Sequence, residues 1–306
     1  MPDPASPALA PIGGSALVTG AFGFLGGAIA TKLEADGWNV VRTGRPAHEI
    51  PSAPFDALLR EASPDLVVHC ASPASVPASV ADPEADRAGS VVVLDQLLRR
   101  LAVLSTVPRV LLLSSAAVYG QPERLPVGEA DPLAPISPYG QHRAASEALL
   151  REYANANDVA VASLRVFSAY GEGLARQVLW DICTRALAGG PVVLAGTGAE
   201  SRDFIHARDV ARAVALVARQ SEPGQDVYNV ATGEELTIAK LAALLLGGLE
   251  VETDVVFSGE TRIGDPDCWR ADIGRLRSLG FEVTVPIEAG VRSYAQWVRA
   301  TVASEA

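Results

Sequence analysis

Three residues in two separated stretches have the types and spacing for proton chemistry. Ser115 follows an apolar run at residues 109–113, and Tyr139 and Arg143 stand in the segment SPYGQHR at residues 137–143. Pro138 suits the first turn of a helix. Tyr139 and Arg143, at i and i+4, then share one face a turn apart. A cation so close favours the ionised form of a phenol, and such a phenol can pass a proton to or from a sugar or carbonyl oxygen. Ser115 lies at the carboxyl end of a parallel strand, where open α/β sheets bind ligands, and can hold that same oxygen by a hydrogen bond. A bound nicotinamide would exchange hydride with the adjacent carbon. In isolation, the pair reads as well as a helix-start tyrosine beside a surface arginine.

A second stretch, residues 15–37, supplies the place for such a cofactor. A short apolar run is followed by Gly20, Gly23 and Gly26 and then by a helix pattern that stops at Gly37. Gly20 can take backbone angles closed to other residues. Gly23 has no side chain to keep a pyrophosphate from the peptide N–H groups. Gly26 lets helix and strand lie close, and the helix N-terminus faces the phosphates with its partial positive charge.

The elements that position these residues follow from hydrophobic periodicity. Strands are expected near residues 16–18, 38–42, 66–70, 109–113, 159–166 and 226–230, and helices near 55–62, 84–104, 138–155 and 207–219. Strands alternating with helices imply right-handed βαβ units, hence an α/β Rossmann fold with a doubly wound parallel sheet. After Tyr170 the elements become shorter and more mixed. The expected division is a dinucleotide-binding domain at 12–170, with a return to its sheet at about 203–230. A smaller C-terminal substrate-binding lobe at 171–306 completes it.

The chain has 306 residues, 49% hydrophobic and 20% charged, which is enough for a sizeable core. Its formal net charge of −11 argues against nucleic acid or an anionic membrane as partner. Three scattered cysteines point to a reducing, cytoplasmic setting and to no metal site. No apolar run reaches the ~18–20 residues of a membrane span.

Several motifs resemble the extended short-chain dehydrogenase/reductases, specifically the NAD-dependent epimerase/dehydratase family acting on nucleotide sugars. They are TGAFGFLG (19–26), DLVVHCAS (65–72), SSAAVYG (114–120), SPYGQHR (137–143), SRDFIHARDVARA (201–213) and RIGDPDCWRAD (262–272). The resemblance implies that Phe24, Leu25, Ala71 and Ser72 lie beside the cofactor, with Tyr139 and Arg143 reaching it as well. It assigns Arg202 and Arg262 to the sugar-nucleotide diphosphate, and Ser168 and Gln177 to the substrate. It also implies a homodimer through the helices near 84–104 and 138–155. Two departures stand out. Arg143 replaces the family lysine, and a planar guanidinium fork is not equivalent to an ammonium. Ser168 stands where asparagine is frequent. Ala116 and Ala117 occupy the positions at which sugar dehydratases carry an acid pair, so dehydration is disfavoured.

NAD enzymes bind the adenosine ribose through an acid at the end of the second strand. Here that strand ends in VRTGR (41–45), with no carboxylate. Arg45, alone or with Arg42 or Thr43, can meet a 2′-phosphate, so NADP(H) is preferred and NAD(H) remains open. The function expected first is NADPH-dependent reduction of a keto sugar through Ser115, Tyr139 and Arg143. The alternatives are a nucleotide-sugar 4-epimerase with tightly bound NAD and a non-catalytic dinucleotide-binding protein.

Overall fold

A computed structural model of the chain describes residues 13–45, 49–219, 224–260 and 266–305. The N-terminal part runs β1 (Ser15–Thr19), α1 (Phe24–Ala35), β2 (Asn39–Thr43), α2 (Ala53–Ala62), β3 (Leu66–His69), α3 (Val76–Ala81) and α4 (Pro83–Arg87). It continues with α5 (Val93–Leu101), β4 (Arg109–Ser115), α6 (Pro138–Asn157) and β5 (Ala160–Val166). Next come β6 (Ser168–Tyr170), α7 (Gln177–Ala188), β7 (Val192–Leu194), β8 (Ser201–Arg202), β9 (Phe204–His206), α8 (Ala207–Val217) and β10 (Gly224–Val230). The chain ends with β11 (Leu236–Thr237), α9 (Ile238–Leu249), β12 (Val255–Phe257), α10 (Gly274–Ser278) and α11 (Ile287–Glu305).

Six parallel strands form the central sheet in the order β10-β5-β4-β3-β1-β2. Successive strand residues face opposite sides. Ala16 and Val18 therefore pack with Ile29, Leu33, Val210 and Val214, under α1 and α8. Leu17 packs with Phe55, Leu97, Leu101 and Leu150, under α2, α5 and α6. Burial on both faces explains the unbroken apolar runs Ala16–Val18, Leu66–Val68 and Val110–Leu113 of β1, β3 and β4. A separate core of Tyr170, Leu179, Ile182, Leu241, Leu245 and Tyr294 joins α7, α9 and α11. The chain leaves β1 for β2 on one side and returns to β3 on the other. The strand order thus reverses between β1 and β3, where doubly wound sheets take their ligands.

The fourth strand, expected over 109–113, runs on through Ser115, which pairs with Val166 of β5; the serine is the strand's last residue, at the carboxyl end where the sequence puts it. The helix expected over 84–104 is a path from Pro83 to Leu101 that passes through a π turn at Ala88–Val92. Gly89 there lies against Pro73; a Cβ at Gly89 would stand 2.8 Å from Pro73 Cγ.

A buried charge pair locks α6 to the sheet. Arg165 of β5 donates through Nε and Nη2 to Glu147 of α6 at 3.0 and 2.8 Å, and through Nη1 to the Tyr119 hydroxyl at 2.8 Å. Ser114 donates to the same carboxylate at 2.6 Å, and Tyr119 donates to Asn229 at 2.7 Å. Burial works against the Arg165 charge, but the Glu147 carboxylate outweighs it and raises Arg165 above its ordinary value. Removing one member of such a pair strands the other. Glu147→Leu is expected to cost about 3–5 kcal/mol of stability, read as a lower midpoint of urea unfolding.

Candidate active site

The turn between β1 and α1 is built by what its glycines lack. Gly20 has φ +67°, and a Cβ on it would stand 2.8 Å from the Ala71 nitrogen. A Cβ on Gly26 would stand 2.1 Å from the Gly20 carbonyl oxygen. No side chain fits at either position, so the turn lies directly on the exit of β3. Gly23 caps α1 with extended backbone, and among the described residues no side chain caps the helix and its first turn holds no acid. The opening N–H groups beside Phe24 and Leu25 are therefore left for an anion, as the dinucleotide pyrophosphate requires.

The exit of β3 is held from β1. Thr19 Oγ1 accepts the N–H groups of Cys70 and Ala71 at 3.2 and 3.3 Å. Its own proton then goes to His69 Nδ1 at 2.8 Å, which assigns the ring proton to Nε2. Burial, reinforced by the Arg143 charge, pushes His69 down to about 3 and keeps it neutral. Its role is to hold the loop of Ala71 and Ser72. Ser72 Oγ and Arg143 Nε are both buried without a partner among the described residues. Orphaned polar atoms of this kind fit a bound polar ligand between the exits of β3 and β4.

The turns that carry Ser115 and Tyr139 meet through one close approach. Ser115 Oγ accepts the Ala117 N–H at 3.2 Å and starts a 3₁₀ turn at Ala116–Val118. That leaves the hydroxyl proton to be donated. Ser137 caps α6, accepting the Gly140 N–H at 3.2 Å, and the Tyr139 N–H donates to Ser79 at 3.1 Å. A Cβ at Gly140 would stand 2.4 Å from the Ala117 carbonyl oxygen. The first turn of α6, with the half-buried Tyr139, is thereby pressed onto the turn that carries Ser115.

Arg143 is not a surface residue; it is 6% exposed. Nη1 donates to the Leu113 carbonyl at 3.1 Å and Nη2 to the Pro73 carbonyl at 2.6 Å. Its Cζ lies 4.9 Å from the centre of the Tyr139 ring. The fork ties together the exits of β3 and β4, and the charge lies over the phenol face.

The remaining residues group around Asp203. Ser168 donates its N–H to the Asp203 carbonyl at 3.0 Å. Neighbouring Arg202 donates to the carbonyls of Ser201 and Asp267 at 2.7 and 3.2 Å, with its Cζ 5.5 Å from the Trp269 ring centre. The buried Asp203 carboxylate accepts N–H groups from Thr232, Gly233 and Ala271. Gln177 is exposed at the start of α7 with φ +70°, a strained conformation for a residue with a side chain. Arg262 lies outside the described residues.

Sequence reasoning missed Thr19, Glu147, Arg165 and Trp269. Trp269 donates from its indole to the Gly120 carbonyl at 3.2 Å, tying the C-terminal segment to the loop after Ser115. Only its place in the RIGDPDCWRAD motif hinted at this.

The exit of β2 differs from the reading that enlisted Arg42 or Thr43. Arg42 spends its fork on Glu34 at 2.9 and 2.8 Å and on Thr31 at 2.9 Å. Thr43 is fully buried. Arg45 is exposed, with Nε 3.1 Å from the Glu49 carboxylate.

Comparison with known proteins identifies the family and the fold. The model of the NAD-dependent epimerase/dehydratase family matches residues 16–231. A UDP-glucose 4-epimerase of Mycolicibacterium smegmatis is 31% identical over 312 aligned residues, covering 92% of this chain and 98% of that protein. Among solved structures, MoeE5 in complex with UDP-glucuronic acid and NAD superposes with a TM-score of 0.87. It is 28% identical and covers 94% of this chain and 100% of that one. The Thermus thermophilus UDP-glucose 4-epimerase in complex with NAD gives 0.83 at 27% identity, covering 93% and 98%. With its parallel Rossmann sheet, glycine turn and Ser–Tyr–Arg junction, the chain belongs to the NAD-dependent epimerase/dehydratase family.

Proposed function

We propose that the chain is a nucleotide-sugar 4-epimerase working with NAD. The observation that carries this reading is the junction at Gly140, which sets the turns of Ser115 and Tyr139 against each other beside the glycine cradle. When bound, the dinucleotide supplies reversible hydride transfer at a sugar carbon. Tyr139 takes the proton of the sugar hydroxyl and later returns it. Arg143, always charged and stacked on the ring, balances the negative charge that develops on the phenol. Ser115 donates its free proton to the same sugar oxygen and orients it. Arg202, beside Trp269, and Arg262 bring positive charge to the diphosphate, while Ser168 and Gln177 reach the sugar. We assign residues 171–306 mainly to substrate and the N-terminal part, with the return through α8 and β10, to the dinucleotide.

The buried positions after Ser115 are Ala116 and Ala117, 0% and 7% exposed. With no ionisable group there, elimination of water lacks its acid and base. The relatives described above as 4-epimerases support epimerisation. A second reading, NADPH-dependent reduction of a keto sugar, rests on Arg45 and on the absence of a carboxylate from β2.

Incubation separates the two. Interconversion of UDP-glucose and UDP-galactose without added cofactor is expected, together with release of NAD on denaturation, identified by mass spectrometry. Net consumption of NADPH with a keto sugar, and no interconversion, would replace this reading with the second. Tyr139→Phe is expected to lower kcat by about 10²–10⁴-fold, typical of a lost acid–base group, with an unchanged circular dichroism spectrum. Arg143→Lys has no fork to span the Leu113 and Pro73 carbonyls. It is expected to retain partial turnover, and Arg143→Met less, in steady-state assays of both variants.

A further inference from the structure

We propose that Phe22 makes the adenosine end of the site select a dinucleotide that lacks a 2′-phosphate. The proposal rests on the reading that the chain binds a dinucleotide, whose cradle is the glycine turn already described. Phe22 stands in that turn, 63% exposed, while neighbouring Ala21 is buried. The turn runs beside the exit of β2. The Ala21 N–H donates to the Thr43 carbonyl at 3.0 Å, and a Cβ built on Gly44 would stand 3.4 Å from Phe22 Cδ2. A phenyl ring thus lies along the peptide at which the sheet meets the adenosine ribose.

Among the described residues, the charges around it do not form an anion site. Arg42 is committed to Glu34 and Thr31. Arg45 is paired with Glu49, and both side chains are largely exposed, 83% and 61%. That pair carries no net charge. A 2′-phosphate would bring about −1.5 to −2 charges against the Glu49 carboxylate and lose water against the phenyl ring. A 2′-hydroxyl is neutral, and the ribose and adenine offer apolar surface for the ring to cover. Contact with Phe22 then contributes affinity at the place where other dinucleotide sites use an acid on β2.

The test is isothermal titration of the full chain, freed of co-purified nucleotide, with ADP-ribose and with 2′-phospho-ADP-ribose. The native chain is expected to favour ADP-ribose by about tenfold or more. Phe22→Ala should weaken ADP-ribose by about tenfold while changing 2′-phospho-ADP-ribose by less than about threefold, so the preference collapses. Phe22→Leu, which keeps apolar bulk, should retain most of it, and Arg45→Ala should leave ADP-ribose affinity unchanged. A native preference for the 2′-phosphorylated probe that Arg45→Ala abolishes would overturn the proposal. So would a ratio that Phe22→Ala leaves unaltered; in either case dinucleotide binding itself stands. Binding of neither probe by the native chain would remove the dinucleotide reading and this proposal with it.

Discussion

The oxygen of the Ala117 peptide occupies the space that any side chain at position 140 would need. Everything at the candidate site follows from that approach. The first turn of α6 can sit on the 3₁₀ turn after β4 only because residue 140 is glycine, and only then do the turns that carry Tyr139 and Ser115 come together. The same logic operates at the other end of the cradle, where Gly20 and Gly26 allow α1 and the exit of β3 to close on one peptide. Both contacts are main chain against main chain. Protein interiors are close-packed and yield little to an added carbon, so these junctions define the site more rigidly than side-chain packing would.

One face of α6 carries the consequences downward. Tyr139, Arg143 and Glu147 follow at intervals of four, so they line one stripe of the helix. The first lies with its ring under the Arg143 guanidinium, the second bridges the exits of β3 and β4, and the third is held by Arg165 inside the protein. Each guanidinium is spent on a different task. Arg143 donates to two carbonyls and lends its charge to a phenol face, whereas Arg165 neutralises a carboxylate that also receives Ser114, the neighbour of Ser115. The serine turn and the tyrosine helix are thereby tied to each other twice, once by backbone contact and once by a buried ion pair.

This explains which features were legible in the sequence. The glycine turn, the Tyr139–Arg143 spacing and the alternation of strands and helices are local, and local periodicity is what a sequence displays. The departures are long-range. β4 runs on as far as Ser115 because Val166 pairs with it, and nothing near Ser115 announces that partner. In the sequence Arg42 reads as available for a phosphate; in the fold it reaches Glu34 and Thr31 on α1. The π turn at Ala88–Val92 goes with the packing of Gly89 on Pro73, a contact with a loop after another strand. Glu147 and Arg165 each read as ordinary charged residues, and only the fold turns them inward.

Long-range carboxylates also decide how the C-terminal segments sit relative to the sheet. Asp203 gathers the N–H groups of Thr232, Gly233 and Ala271, and Asp209 at the start of α8 gathers those of Thr284 and Val285. Both carboxylates are fully buried. Buried charges persist where hydrogen bonds replace the lost water, and here every named donor is backbone, except for the hydroxyls of Thr232 and Thr284. The segment carrying Arg202 and Trp269 is therefore fixed to the exit of β10 by bonds that do not depend on loop sequence. The residues around such a frame can vary, and the substrate with them, while the junction of Ser115, Tyr139 and Arg143 stays where the sheet puts it.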